Sequence, residues 1–299
     1  MPAPRRRHAR CRVRTGARHA WRAAAVRCRA LSCAVPSWRA RRAGACRRHA
    51  ILAALRGGAA PSPPRGANRN PDMSELLPSI EIESAPSPTW SVIWLHGLGA
   101  DGGDFAPVVP DLGLGPAPAV RFVFPHAPAI PVTCNGGYVM PAWYDIASLD
   151  DARSHCDEAG IRASREAVRA LIARENQRGV PSHRVVLAGF SQGGAIAYTA
   201  GLTHPEALGG IIALSTYIPS PALLAAEFSE ANRATPVFAA HGVEDDVVPV
   251  PLGMLARDTV RQHGCPVEWH AYPMPHTVCM EEIAAIGAWL NARFAAAAA

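Results

Sequence analysis

Residues 184–203 read Arg184-Val185-Val186-Leu187-Ala188-Gly189-Phe190-Ser191-Gln192-Gly193-Gly194-Ala195-Ile196-Ala197-Tyr198-Thr199-Ala200-Gly201-Leu202-Thr203. The first five are a short, mostly apolar run, which predicts a strand. From Gln192 to Thr203 the small and apolar residues predict a helix. Between them, Gly189-Phe190-Ser191-Gln192-Gly193 matches G-x-S-x-G. Placed between a strand and a helix, that motif describes a turn sharp enough to hold a serine in a strained backbone with its hydroxyl above the sheet. Glycines two positions to either side are required because a Cβ there collides with the neighbouring strand or helix. The Gln192 amide, at the start of the helix, points where negative charge develops on a reacting carbonyl. A plainer reading, a glycine-rich turn whose serine caps the helix, fits the five residues alone but uses less of their context. Ser191 is the candidate nucleophile.

Outward from this elbow the pattern alternates. Trp90–Leu95, Ala119–Phe124, Gly210–Leu214, Val237–Ala240 and Val267–Tyr272 read as strands. Asp157–Arg178, Pro251–Gln262 and Met280–Phe294 read as helices. In the first of these, Ile161, Val168, Leu171 and Ile172 form an apolar stripe, with Arg162, Arg165, Glu166, Arg169 and Arg174 on the other side. Asp101–Leu112 is a weaker helix because it contains Pro107 and Pro110. Pro125 to about His155 reads as a long connection. Strands alternating with helices imply an α/β fold with a mainly parallel central sheet and helices on both faces. Sites in such sheets lie at the carboxyl ends of the strands.

The net charge of +6 averages two unlike segments. Residues 1–72 carry 18 Arg against one acid, Asp72, whereas the rest of the chain carries 12 Arg against 23 acids. A nucleic-acid partner inferred from total charge is therefore an artefact of averaging, and none is expected. All 30 basic residues are Arg. The Arg/Ala/Pro-rich stretch 1–72 lacks a sustained apolar period and is expected to be a disordered tail, followed by a single domain over 73–299. Composition changes abruptly at Met73-Ser74-Glu75. The reading favoured is that translation starts at Met73; a transit peptide or a basic arm are the alternatives. A twin-arginine signal at Arg47-Arg48 is poorly supported, since the apolar stretch after it runs only from Ala50 to Leu55. No apolar run approaches the roughly 20 residues that cross a bilayer. The eight cysteines are scattered without metal-site spacing, which reads as reduced thiols and a cytoplasmic location, or an organelle if residues 1–72 are a true transit peptide. No metal or cofactor is expected.

A serine hydroxyl needs a base, and in elbow-type sites the chain order is Ser, then Asp or Glu, then His. Of His204, His241, His263, His270 and His276, the last sits in a loop after a strand and before the final helix, the carboxyl-edge location. His276 is the candidate base. The acid belongs in the loop after the Val237–Ala240 strand, where spacing alone does not choose among Glu244, Asp245 and Asp246. It should be buried while its neighbours are solvated, because its task is to hold the imidazole in one tautomer.

Three segments, Leu95-His96-Gly97-Leu98-Gly99-Ala100-Asp101-Gly102, Gly189–Gly194 (GFSQGG) and His241-Gly242-Val243-Glu244-Asp245-Asp246-Val247-Val248-Pro249, resemble the phospholipase/carboxylesterase family of α/β-hydrolases, which includes acyl-protein thioesterases and small carboxylesterases. Met274-Pro275-His276 stands where that family has its histidine, without the glycine usual three residues before it. Asn135–Tyr138 and Trp143–Ile146 resemble the loop lining the family's active-site entrance. The resemblance covers about Met73 to Phe294. It implies an α/β-hydrolase fold and a triad of Ser191, Asp245 and His276. It also implies a second oxyanion donor at the backbone N–H of Leu98, beside that of Gln192, with both side chains of little account. Under it His96 packs the loop, and Trp143 either lines an acyl pocket and binds substrate or is plain core. The expected activity is a serine carboxylesterase for short- to medium-chain esters working through an acyl-enzyme on Ser191. Alternatives are an acyl-protein thioesterase or lysophospholipase acting on long acyl chains and, more remotely, a non-catalytic ligand-binding relative. The expected partner is a small-molecule ester or thioester, with a homodimer left open.

Overall fold

The computed structural model describes residues 76–147 and 156–296; the expected tail, residues 1–72, lies outside them. Five fully buried strands form the middle of one sheet: β2 (Trp90–Leu95), β3 (Val120–Pro125), β6 (Val185–Phe190), β7 (Gly210–Leu214) and β8 (Val237–Gly242). Edge strands β1 (Ser79–Glu83) and β9 (Val267–Tyr272) complete a seven-stranded sheet of order β1-β3-β2-β6-β7-β8-β9. Only β1 runs antiparallel, against β3.

Period-2 alternation along these strands divides the interior into two cores. Ile93, Leu95, Val185, Leu187, Ile211, Ala213, Val237 and Ala239 face α1 (Glu158–Gln177), α2 (Gln192–Leu202), α3 (Pro221–Glu227) and α4 (Val250–Gln262). Their neighbours Val92, Trp94, Val186, Ala188, Ile212, Leu214, Phe238 and Ala240 face α5 (Met280–Ala296) and a 3-10 segment, Ala106–Leu112. Both faces are thus covered by helix, as strands buried along their whole length require.

Several sequence expectations change. The helix over Asp101–Leu112 contracts to the 3-10 segment, because Pro107 and Pro110 each remove an amide that an α-helix needs. The connection after β3 contains a hairpin, β4 (Ala129–Val132) with β5 (Tyr138–Pro141), too short and too rich in proline to register as alternation. Helix α1 buries Ile161, Val168, Leu171 and Ile172 as its periodicity predicts, with the Asp157 carboxylate accepting the Gly160 N–H at its start. Arg165, assigned to the solvent side, is buried instead: it pairs with Glu227 at the end of α3, a helix the sequence reading missed.

Candidate active site

Four loops leave the carboxyl edge of the sheet and converge. Ser191 follows β6, Asp245 follows β8, His276 follows β9, and Leu98 follows β2. The elbow is as tight as its motif implies. Ser191 has φ 54° and ψ −122°, a region costing a non-glycine residue about 1–3 kcal/mol. It is held there by its N–H donating to Leu214 O (2.9 Å) and its carbonyl accepting the Thr216 hydroxyl (2.6 Å). A Cβ at Gly189 would lie 2.3 Å from Gly193 O, and one at Gly193 would lie 2.3 Å from Leu95 O. The first glycine admits the helix and the second admits the end of β2.

The Ser191 hydroxyl lies 2.9 Å from His276 Nε2, and His276 Nδ1 lies 2.7 Å from Asp245 Oδ2. With Nδ1–H donated to the carboxylate, Nε2 keeps its lone pair for the serine proton. The Phe190 ring packs against the imidazole at 4.7 Å between centroids. Asp245 is 7% exposed whereas Glu244 and Asp246 are exposed, so burial separates the three acids that spacing left open. Asp245 Oδ1 accepts the Val247 (3.0 Å) and Val248 (2.8 Å) amides. Burial pushes the Asp245 carboxyl up, but the hydrogen bond and charge of His276 and these two amides outweigh it, and its pKa lies below the ordinary value. The acid stays ionised, as a partner for an imidazolium must.

Behind Asp245 stands His241, a residue that chain order had set aside. Its Nε2–H donates to Val248 O at 2.7 Å and lies 3.4 Å from Asp245 Oδ2. Burial lowers its pKa, so it serves as a neutral donor bracing the acid loop. The segment before His276 packs closely against the loop that carries Asp245. At Gly242 a Cβ would lie 2.2 Å from Met274 O, and the Glu244 N–H donates to that same carbonyl. The remaining histidines are engaged elsewhere: His204 with Glu206, His270 with Glu268, His263 stacked on Phe228.

The loop after β2 is fixed from several sides. His96 is buried, its Nε2 accepting the Ala127 N–H (3.0 Å) and its Nδ1–H donating to Gly97 O (2.8 Å). Burial lowers its pKa and keeps it neutral. The Gly99 N–H donates to Pro141 O of the hairpin at 2.8 Å. Among the described residues the amides of Leu98 and Gln192 donate to no other protein group, as expected of Gln192 at a helix N-terminus. Trp143 is 2% exposed, and its indole N–H donates to His96 O at 2.8 Å. These contacts fit the core reading of Trp143 rather than that of an exposed lining residue. The Gln192 side chain, given no importance from sequence, accepts the Trp143 N–H (2.9 Å) and donates to Tyr144 O (2.8 Å). Among the described residues no three His, Cys, Asp or Glu side chains gather as a metal site.

Fold and site together define a serine hydrolase of the α/β-hydrolase class. The phospholipase/carboxylesterase family model matches residues 78–293, and the chain belongs to that family. It is 40% identical over 228 residues to acyl-protein thioesterase 1 of Neurospora crassa, covering 72% of this chain and 91% of that one. Against acyl-protein thioesterase 1 of Mycosarcoma maydis it is 40% identical over 226 residues, covering 71% and 94%. Among solved structures, Arabidopsis thaliana SOBER1 superposes with TM-score 0.64 at 32% identity, covering 68% of this chain and 98% of that one. Zea mays acyl-protein thioesterase 2 superposes with TM-score 0.65 at 25% identity, covering 73% and 99%.

Proposed function

We propose that this serine hydrolase is an acyl-protein thioesterase, releasing long acyl chains from cysteine thiols. The observation that carries this reading is its 40% identity, over nearly the whole of two fungal relatives, to proteins of that name. Short- to medium-chain ester hydrolysis, expected from sequence, takes second place, supported by a TM-score of 0.60 to esterase PE8 at 28% identity.

In the reaction, Ser191 Oγ attacks the thioester carbonyl carbon while His276 Nε2 takes the hydroxyl proton. The carbonyl oxygen becomes an oxyanion between the Leu98 and Gln192 amides, and loss of one such donor typically costs about 3 kcal/mol of transition-state stabilisation. The tetrahedral species collapses, the C–S bond breaks, and the thiol leaves with the proton from His276. Water then gives a proton to the same nitrogen, attacks the acyl-serine, and releases the carboxylic acid and free Ser191. Near the site, Tyr217, Ile218, Leu252 and Leu255 form a small apolar depression, and Tyr217 adjoins the Thr216 whose hydroxyl donates to the Ser191 carbonyl. The four described cysteines are free thiols, which supports a reducing, cytoplasmic setting. Among the described residues no helix is long and apolar enough to cross a membrane.

The test is kcat/KM across p-nitrophenyl esters of two to sixteen carbons, alongside an S-palmitoylated peptide. A rise with chain length and efficient deacylation of the peptide support the thioesterase. A sharp fall beyond short chains, with the peptide untouched, returns the reading to a short-chain carboxylesterase.

A further inference from the structure

The two amides assigned to the oxyanion site belong to different elements, Leu98 to the loop after β2 and Gln192 to the first turn of α2. Residue 143 touches both. Its backbone N–H donates to Gln192 Oε1 (2.9 Å), and its indole N–H donates to His96 O (2.8 Å), two residues before Leu98. The Gln192 amide group also donates to Tyr144 O at 2.8 Å, which fixes which end of that group faces Trp143. All of these bonds are buried. The next segment is anchored as well: the Ser164 hydroxyl of α1 donates to Trp143 O, and the hydroxyls of Tyr144 and Tyr217 lie 2.8 Å apart. The two donor loops are in close contact, since a Cβ at Gly97 would meet the Phe190 ring at 3.3 Å and the Ser191 Cβ at 3.5 Å.

We infer that the side chains of Trp143 and Gln192 form a strap that sets the spacing of the two oxyanion donors, making both positioning residues for the reaction. This rests on the Ser191 mechanism proposed above. Oxyanion stabilisation depends on donors placed for the tetrahedral oxygen rather than the ground-state carbonyl, and small misplacements lower rate more than substrate binding. The strap spans that gap. Its parts act in series: α2 holds Gln192, Gln192 holds residue 143, and the indole holds the loop that carries Leu98. Breaking either link releases the same spacing.

The test uses the full chain with Trp143→Phe, which deletes the indole N–H, and Gln192→Met, which deletes both side-chain bonds but keeps the backbone amide. For each, kcat and KM on a p-nitrophenyl ester are measured with Ki for a trifluoromethyl ketone, whose serine adduct carries the oxyanion. The expectation is a loss of about 10- to 100-fold in kcat with KM within about threefold, and a matching rise in Ki. The double variant should fall about as far as the worse single one, because the links are in series. Variants with kcat within about twofold of wild type, losses that multiply, or a Ki that stays put while kcat falls overturn the strap. If Trp143→Phe fails to fold, Gln192→Met carries the same criteria. A wild-type protein whose Ser191 resists a fluorophosphonate defeats the underlying mechanism; a labelled wild type with fully active variants defeats the strap alone.

Discussion

Replacing Asp245 by Asn should invert the protonation of the His276 imidazole, and the hydrogen bonds around residue 245 leave the variant no easy escape. Asp245 Oδ1 accepts two backbone amides, Val247 at 3.0 Å and Val248 at 2.8 Å, while Oδ2 accepts His276 Nδ1–H at 2.7 Å. An asparagine keeps both amide bonds only with its oxygen in the Oδ1 position, which turns its NH2 toward His276. Nδ1 must then accept, so the proton moves to Nε2, and Nε2 no longer takes one from Ser191. The opposite rotamer sets the NH2 against two backbone donors and leaves both unsatisfied. At about 1–3 kcal/mol for each buried unpaired group, that flip costs about 2–6 kcal/mol. The wrong tautomer should therefore dominate, and kcat should fall by about 10⁴-fold, the scale known for this substitution in a serine protease. Stopped-time assays on a p-nitrophenyl ester measure the loss, and ¹⁵N shifts of the His276 ring report the tautomer. A variant within about tenfold of wild-type kcat, or one whose Nδ1 still carries the proton, refutes the assignment of Asp245 as the orienting acid.

Other expectations follow from local contacts. Gly193→Ala places a Cβ 2.3 Å from Leu95 O and 2.5 Å from His96 O; urea unfolding should show a loss of about 1–3 kcal/mol, together with severely reduced turnover. His241→Phe leaves Val248 O without its donor; stability should drop by about 1–3 kcal/mol and kcat should fall while KM holds, and an unchanged kcat would remove His241 from the support of Asp245. Glu282, buried in the first turn of α5 without a good hydrogen-bond partner, has its carboxyl pushed up to about 8 by burial, against a weaker pull from the Cys279 amide. Between its ordinary value of 4.5 and about 8 the folded protein keeps a proton that the unfolded chain releases. Stability should therefore fall as pH rises through that window, by up to about 1.4 kcal/mol per pH unit. Glu282→Gln should flatten that slope in urea titrations at pH 5, 6.5 and 8, and parallel profiles for the two proteins would contradict it.

The parts legible from sequence were those set by short-range rules. The elbow announces itself because glycine is required at 189 and 193 by contacts with the chain's own next turn and with β2. Short apolar runs located β2 and β7 at the bounds found, and a mixed run containing Val267, Trp269 and Tyr272 located β9. His276 emerged from chain order, while the choice among the three acids needed either the family pattern or burial. What stayed hidden depends on partners remote in sequence. Arg165 is buried because Glu227, 62 residues later, meets it. Nothing in residues 133–146 signals that Trp143 spans to His96, 47 residues earlier. From sequence, residue 192 has a backbone role and shows no sign that its side-chain amide bonds a segment 48 residues away. Chain order points to the base and is silent about His241, which braces the acid loop through Val248 O.

By the proposed route, an acyl group passes through the hydroxyl of Ser191. Rapid acid quenching during turnover of a slow ester, followed by peptide mass spectrometry, reads this directly. The acyl mass is expected on the peptide containing Ser191, with no adduct and no turnover in Ser191→Ala. An adduct on a different residue, or undiminished hydrolysis by Ser191→Ala, would contradict it.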